Sequence, residues 1–138
     1  MLPSLAHGES VLVVRTRFRW NRLRRGDVAV FEGPEGREGI YIKRVVGLPG
    51  EDLRFDGGRV YLDGKLLEES YILETEEKGV GQDREWFTGA DEYFLLGDNR
   101  SASKDDSRAF GPVSGKLIKG KAWFRCWPPF RWRMIRGK

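Results

Sequence analysis

The chain holds 138 residues, 39% of them hydrophobic and 33% charged, with a formal charge of +4. That size supports one hydrophobic core of modest volume, so residues 1–138 read as a single domain, and two would be crowded. No apolar run reaches transmembrane length and no signal-peptide pattern opens the chain, while a lone cysteine, Cys126, excludes an internal disulfide.

In chain order, Val11 to Val14, Val28 to Phe31, Ile40 to Val46, Leu53 to Phe55, Val60 to Leu62, Tyr93 to Leu96 and Ala122 to Phe124 are short runs rich in β-branched and aromatic residues. Glycine-bearing turns separate nearly all of them, which predicts an all-β domain. Asp56-Gly57-Gly58 and Asp63-Gly64 place turn residues between such runs, so Leu53 to Leu67 reads as a meander. The acidic, glycine-containing stretch from Glu68 to Ala90 reads as a long loop or small inserted subdomain. No segment keeps a helical period, and no repeat appears.

The basic charge gathers in Arg15 to Arg25 and Arg125 to Arg136. A solvated surface accounts for it, as would a nucleic acid or an anionic membrane. Trp123, Phe124, Trp127, Phe130, Trp132, Met134 and Ile135 stand among the second group of arginines, and interfacial aromatics of this kind favour the membrane over nucleic acid. A buried terminal strand followed by a ragged tail would give the same pattern. His7 is the sole histidine and no ligand-spaced cluster accompanies it, so the sequence implies no metal, no cofactor and no Ser/His/Asp triad.

Lys43 lies in the most apolar run, where alternation groups it with Tyr41 and Val45 and sends Ile42, Arg44 and Val46 to the other face. Two readings fit. The lysine is a gatekeeper that snorkels out of the sheet, or desolvation depresses its pKa until it can accept a proton from a hydroxyl. The run Tyr93-Phe94-Leu95-Leu96 empties into Gly97-Asp98-Asn99-Arg100 and on to Asp106-Ser107-Arg108. By itself that is a turn whose Asp and Asn cap their own backbone.

Taken together, Met1-Leu2-Pro3-Ser4-Leu5, then Tyr41-Ile42-Lys43-Arg44-Val45-Val46-Gly47-Leu48-Pro49-Gly50, then Gly97 to Arg108 form an ordered set that resembles bacterial type I signal peptidases. These are membrane-anchored Ser/Lys-dyad proteases that remove export signals. The resemblance runs from Met1 to about Pro128 and implies coiled antiparallel sheets or a partly open barrel. It makes Lys43 the general base and Ser103 the residue that orients it. Arg44, Asp98, Asn99 and Arg108 become supports of the site, while Pro3, Ser4, Leu5, Tyr41 and Ile42 become substrate contacts. It also supplies an Asp, but Ser103 to Arg108 holds one residue more than the family spacing, which leaves Asp105 and Asp106 both open.

The family's opening box reads Ser-Met-x-Pro-Thr/Ser-Leu, which places the nucleophile one residue before Met1 and makes the chain as it stands inactive. Ser4 occupies the Thr/Ser position of that box. The implied partners are signal peptides of exported preproteins and, through the C-terminal Trp/Arg region, an anionic membrane surface; nucleic acid is not expected. The implied location is the extracytoplasmic face of the bacterial cytoplasmic membrane, by way of an anchor this chain lacks. The other reading is a non-catalytic relative that binds extended peptides or assists assembly of surface proteins.

Overall fold

The computed structural model describes residues 10–15, 22–72, 83–127 and 133–135. Its strands are β1 (Ser10–Arg15), β2 (Val28–Glu32), β3 (Ile40–Gly47), β4 (Asp52–Asp56), β5 (Arg59–Leu62), β6 (Lys65–Leu66), β7 (Arg84–Phe87), β8 (Glu92–Leu96), β9 (Val113–Ser114), β10 (Ile118–Trp127) and β11 (Arg133–Met134). A single helical turn, α1 (Ser107–Phe110), and a 3-10 turn at Gly115–Leu117 complete the described elements. The all-β expectation holds.

The larger sheet runs β1-β10-β2-β3-β8-β9, with β11 on β10, and a four-stranded sheet runs β6-β5-β4-β7; every pairing is antiparallel. Neither path closes on itself. The strand that carries Lys43 is interior to the larger sheet, paired to β2 with Lys43 opposite Ala29, and to β8 with Arg44 opposite Leu96.

Alternation along β3 sorts its side chains as the sequence predicts. Val45 is fully buried in a cluster with Ala29, Phe31, Leu95 and Val113, against which Tyr41 packs. Val46 enters a second cluster with Phe94 and Leu96 of the same sheet and Leu53, Phe55, Val60 and Leu62 of the smaller one. That shared cluster binds the two sheets together. Full burial of a Phe or Leu contributes about 1.5–3 kcal/mol, so the junction rests on burial rather than on turns.

Two tight hairpins fold the smaller sheet. Gly57 and Gly58 take φ of 56° and 85°, and Asp63 and Gly64 take 47° and 79°. Positive φ at both central residues is the twist that joins neighbouring strands directly, which is why β4, β5 and β6 follow one another so closely.

Two elements differ from the sequence reading. β7 lies inside the stretch read as an excursion and pairs with β4, Phe87 opposite Asp52. Its sequence Arg-Glu-Trp-Phe hides a strand because it is an edge, where charged residues remain solvated. β10 runs from Ile118 rather than Ala122, since Lys119 and Lys121 alternate outward beside the buried Gly120 and Ala122.

Candidate active site

β8 delivers the chain to Gly97 with Phe94, Leu95 and Leu96 fully buried, and the polar loop 97–106 then folds back against Lys43 and Arg44 in the middle of β3. Asn99 shapes the turn: its side-chain oxygen accepts from the Ala102 N–H at 2.9 Å, and its carbonyl accepts from the Ser103 N–H at 2.9 Å. Asp106 caps α1 in extended geometry, accepting from the Arg108 N–H at 3.1 Å. Ser107 Oγ accepts from the Leu95 N–H at 2.9 Å and ties the helical turn back to β8.

This folding brings Lys43 and Ser103 together from 60 residues apart, with the Lys43 ammonium donating to Ser103 Oγ at 3.0 Å. Ser103 Oγ in turn donates to Asp106 Oδ2 at 2.8 Å. With its own proton committed to Asp106, Ser103 acts on Lys43 as an acceptor. A neutral Lys43 held through one N–H keeps its lone pair free for another hydroxyl.

Electrostatics suit such a state. Burial depresses the Lys43 pKa below its ordinary value, and the negative charges of Asp106 and Asp105 offset only part of that. For Asp106, burial alone would favour the neutral acid. The Arg108 bonds and charge outweigh it, helped by Ser103 and the Gly97 N–H, and hold the pKa below the usual carboxylate range. Arg108 clamps the loop as well, its Nη2 donating to the carbonyls of Ser103 at 2.7 Å and Arg100 at 2.8 Å.

Position separates the two aspartates: Asp106 is fully buried in this cluster, while Asp105 is exposed and pairs with Arg37.

On the other face of β3, Arg44 forms a fork with Asp98, Nε to Oδ1 and Nη2 to Oδ2 both at 2.7 Å, and Nη1 donates to the Gly26 carbonyl at 2.7 Å. Burial opposes the cation, yet the Asp98 bonds and charge raise the Arg44 pKa above its ordinary value. Tyr41 stacks on Phe31 with ring centroids 5.7 Å apart, on the Lys43 face. Ile42 packs instead with Val28, Val30, Ala122, Val11 and Val13 on the opposite face. Pro3, Ser4 and Leu5 lie outside the described residues.

Residues that sequence reasoning did not single out complete the surroundings. Arg100 is buried against Glu69, Tyr71 lies over Arg44 at 4.3 Å, and the Tyr71 hydroxyl donates to Glu69 at 2.6 Å. Glu69 and Tyr71 sit at the head of the stretch read as a loop, where no motif flags them. Beside Ser103, a cavity of about 430 Å³ opens toward the smaller sheet, with Lys104 and Asp106 on one wall and Arg84 and Trp86 on the other.

Residues 1–127 match the family described as "Signal peptidase, peptidase S26". The chain is 38% identical over 135 residues to "Signal peptidase I" of Leptolyngbya laminosa, an alignment covering 93% of this chain and 64% of that protein. To "Probable signal peptidase I-1" of Synechocystis sp. it is 34% identical over 142 residues, covering 98% of this chain and 70% of that protein. The crystal structure of a signal peptidase I from Enterococcus faecalis V583 superposes with a TM-score of 0.65 at 30% identity, covering 73% of this chain and 97% of that one.

Proposed function

The chain belongs to the signal peptidase, peptidase S26, family, and from that premise we propose that it is the catalytic domain of a Ser/Lys-dyad endopeptidase that removes signal peptides from exported preproteins. The contact between Lys43 and Ser103, at 3.0 Å beneath a buried carboxylate, is the observation that carries this reading. In this reading the attacking hydroxyl belongs to the serine that opens the family box, at the position before Met1. Lys43 takes its proton as the hydroxyl adds to the scissile carbonyl, then gives it to the leaving amine of the mature chain as the C–N bond breaks and the acyl-enzyme forms. Neutral again, Lys43 deprotonates the water that adds to the acyl carbon and returns that proton to the serine oxygen as the ester bond breaks; burial disfavours the ammonium and so favours both returns. Ser103 keeps the amine aimed, and Asp106 keeps Ser103 from competing for the lone pair.

The substrate runs extended beside Tyr41 to Lys43, the part of β3 that β8 does not pair, where backbone pairing supplies affinity and small pockets select small side chains at the cleavage site. Pro3, Ser4, Leu5, Tyr41 and Ile42 are the contacts we assign by family position. The domain works on the extracytoplasmic face of the bacterial cytoplasmic membrane. Among the described residues no helix is long and apolar enough to cross a membrane. Exposed Leu12 and Val14 on β1, Trp123 on β10 and Met134 on β11 gather apolar surface on adjacent strands, which supports contact with a lipid surface.

The test compares two proteins on a signal-sequence peptide with Ala at the cleavage site: the 138 residues alone, and the same chain with the family box restored by a Ser before Met1 behind its upstream strand. Cleavage by the second alone, abolished by Lys43→Met, is expected. Peptide binding without cleavage by both would favour the non-catalytic relative, and cleavage that survives Lys43→Met would remove Lys43 as the base.

A further inference from the structure

We propose that Glu69 and Tyr71 are positioning residues for the Lys43–Ser103 pair, acting through the two buried arginines that hold the loop 97–108 against β3. The role of Lys43 as a base rests on the preceding section; the coupling itself does not.

Six contacts make the connection. Tyr71 lies over the Arg44 guanidinium at 4.3 Å, and Arg44 grips Asp98, the residue after Gly97, with both bonds at 2.7 Å. The Tyr71 hydroxyl donates to Glu69 Oε1 at 2.6 Å. Glu69 receives Arg100 through both guanidinium ends, Nη1 at 3.1 Å. Arg100 Nε donates to the Gly97 carbonyl at 3.0 Å, while the Gly97 N–H reaches Asp106 Oδ2 at 3.3 Å. The peptide units flanking Gly97 are thus held on one side by Arg100 and on the other by the carboxylate that orients Ser103.

The chemistry of these groups argues for placement. Arg100 and Glu69 have side chains 5% and 6% exposed. A buried ion pair contributes little stability against apolar replacements of the same size, but a planar fork on a carboxylate fixes orientation. Tyr71 is locked as a donor, since burial, then Glu69, pushes its phenol well above the ordinary range. Both residues come from the segment after β6, so the smaller sheet reaches the catalytic loop through them as well as through the shared core. Ser70 between them is exposed, within the turn that the Ile72 N–H closes on the Glu69 carbonyl at 3.1 Å.

The experiment is a titration of Lys43 by NMR in the 138-residue chain labelled with ¹³C at lysine Cε, the Lys43 signal assigned by its loss in Lys43→Arg. The charged groups that act on Lys43 are Asp106, Asp105, Arg108 and Asp98, and burial is the largest influence lowering its pKa. Loosening the loop admits water, so Glu69→Gln shifts the Lys43 midpoint upward toward that of the surface lysines. Tyr71→Phe, which keeps the ring over Arg44 and loses only the bond to Glu69, shifts it the same way by less. The other lysines do not move. A Lys43 midpoint unchanged in both folded variants overturns the proposal, and so does loss of the fold in both, which would make the pair a structural brace. Cleavage is not read here, so a flat titration leaves the peptidase reading standing, and a failed cleavage test leaves the titration standing.

Discussion

Ser103 occupies the space a side chain at Gly97 would need: a Cβ there would lie 2.3 Å from Ser103 Oγ and 3.7 Å from Lys43 Nζ. The absence of a side chain at the end of β8 is what lets the hydroxyl reach the lysine. In the protein with the family serine restored before Met1, Gly97→Ala should push Ser103 off Lys43 and lower cleavage about 100-fold, the scale of an ångström's misplacement. The accompanying overpacking should cost about 1–3 kcal/mol in chemical denaturation.

Arg44 and Asp98 are a buried pair with side chains 4% and 0% exposed. Arg44→Met leaves the carboxylate desolvated and should destabilise the fold by about 3–5 kcal/mol, measured by urea unfolding. Replacing both partners, Arg44→Met with Asp98→Leu, should recover most of that loss, because no uncompensated charge remains.

The two adjacent aspartates should separate cleanly. Asp106→Asn weakens charge-assisted bonds in a fully buried site and should cost about 2 kcal/mol. Its folded pKa is lowered, so the stability it contributes is complete above its ordinary value near 3.8 and fades as pH falls through the folded value. The gap between wild type and Asp106→Asn should therefore hold at neutral pH and narrow in acid. Asp105→Ala, at the exposed end of its pair with Arg37, should stay within about 0.5 kcal/mol.

Lys43 has the opposite sign. Its folded pKa is lowered from 10.5, so the unfolded chain binds the proton more tightly and the charged lysine opposes folding at and below its folded pKa. That opposition is relieved as pH rises between the folded value and 10.5. Thermal unfolding should show Lys43→Met more stable than wild type at neutral pH, with the difference shrinking toward pH 10.5, while cleavage is lost throughout.

What the sequence disclosed follows from how each residue does its work. Lys43 stood out because a cation in an alternating apolar strand violates its surroundings, and Asp98 to Arg108 because a polar loop succeeds a buried strand. The inserted residue before Arg108 left two aspartates in competition, and only burial distinguishes them. Glu69 and Tyr71 were illegible. A glutamate in an acidic stretch reads as solvent-facing, and nothing local announces that its partner lies 31 residues further along. β7 was hidden for the same kind of reason, its pairing with β4 being a fact about the other strand.

Lys43 and Ser103 are separated by 60 residues, and Arg44 and Asp98 by 54. The chain between them builds the smaller sheet, β4 to β7, whose apolar side chains share a cluster with Val46 and Phe94. Such distant contacts form late, after the intervening loop entropy has been overcome. A chain emerging from the ribosome therefore carries a lysine with no companion until the second half has been made and has docked. The Lys43–Ser103 contact is thus a property of the completed pairing of β3 with β8 and belongs to neither half of the chain alone.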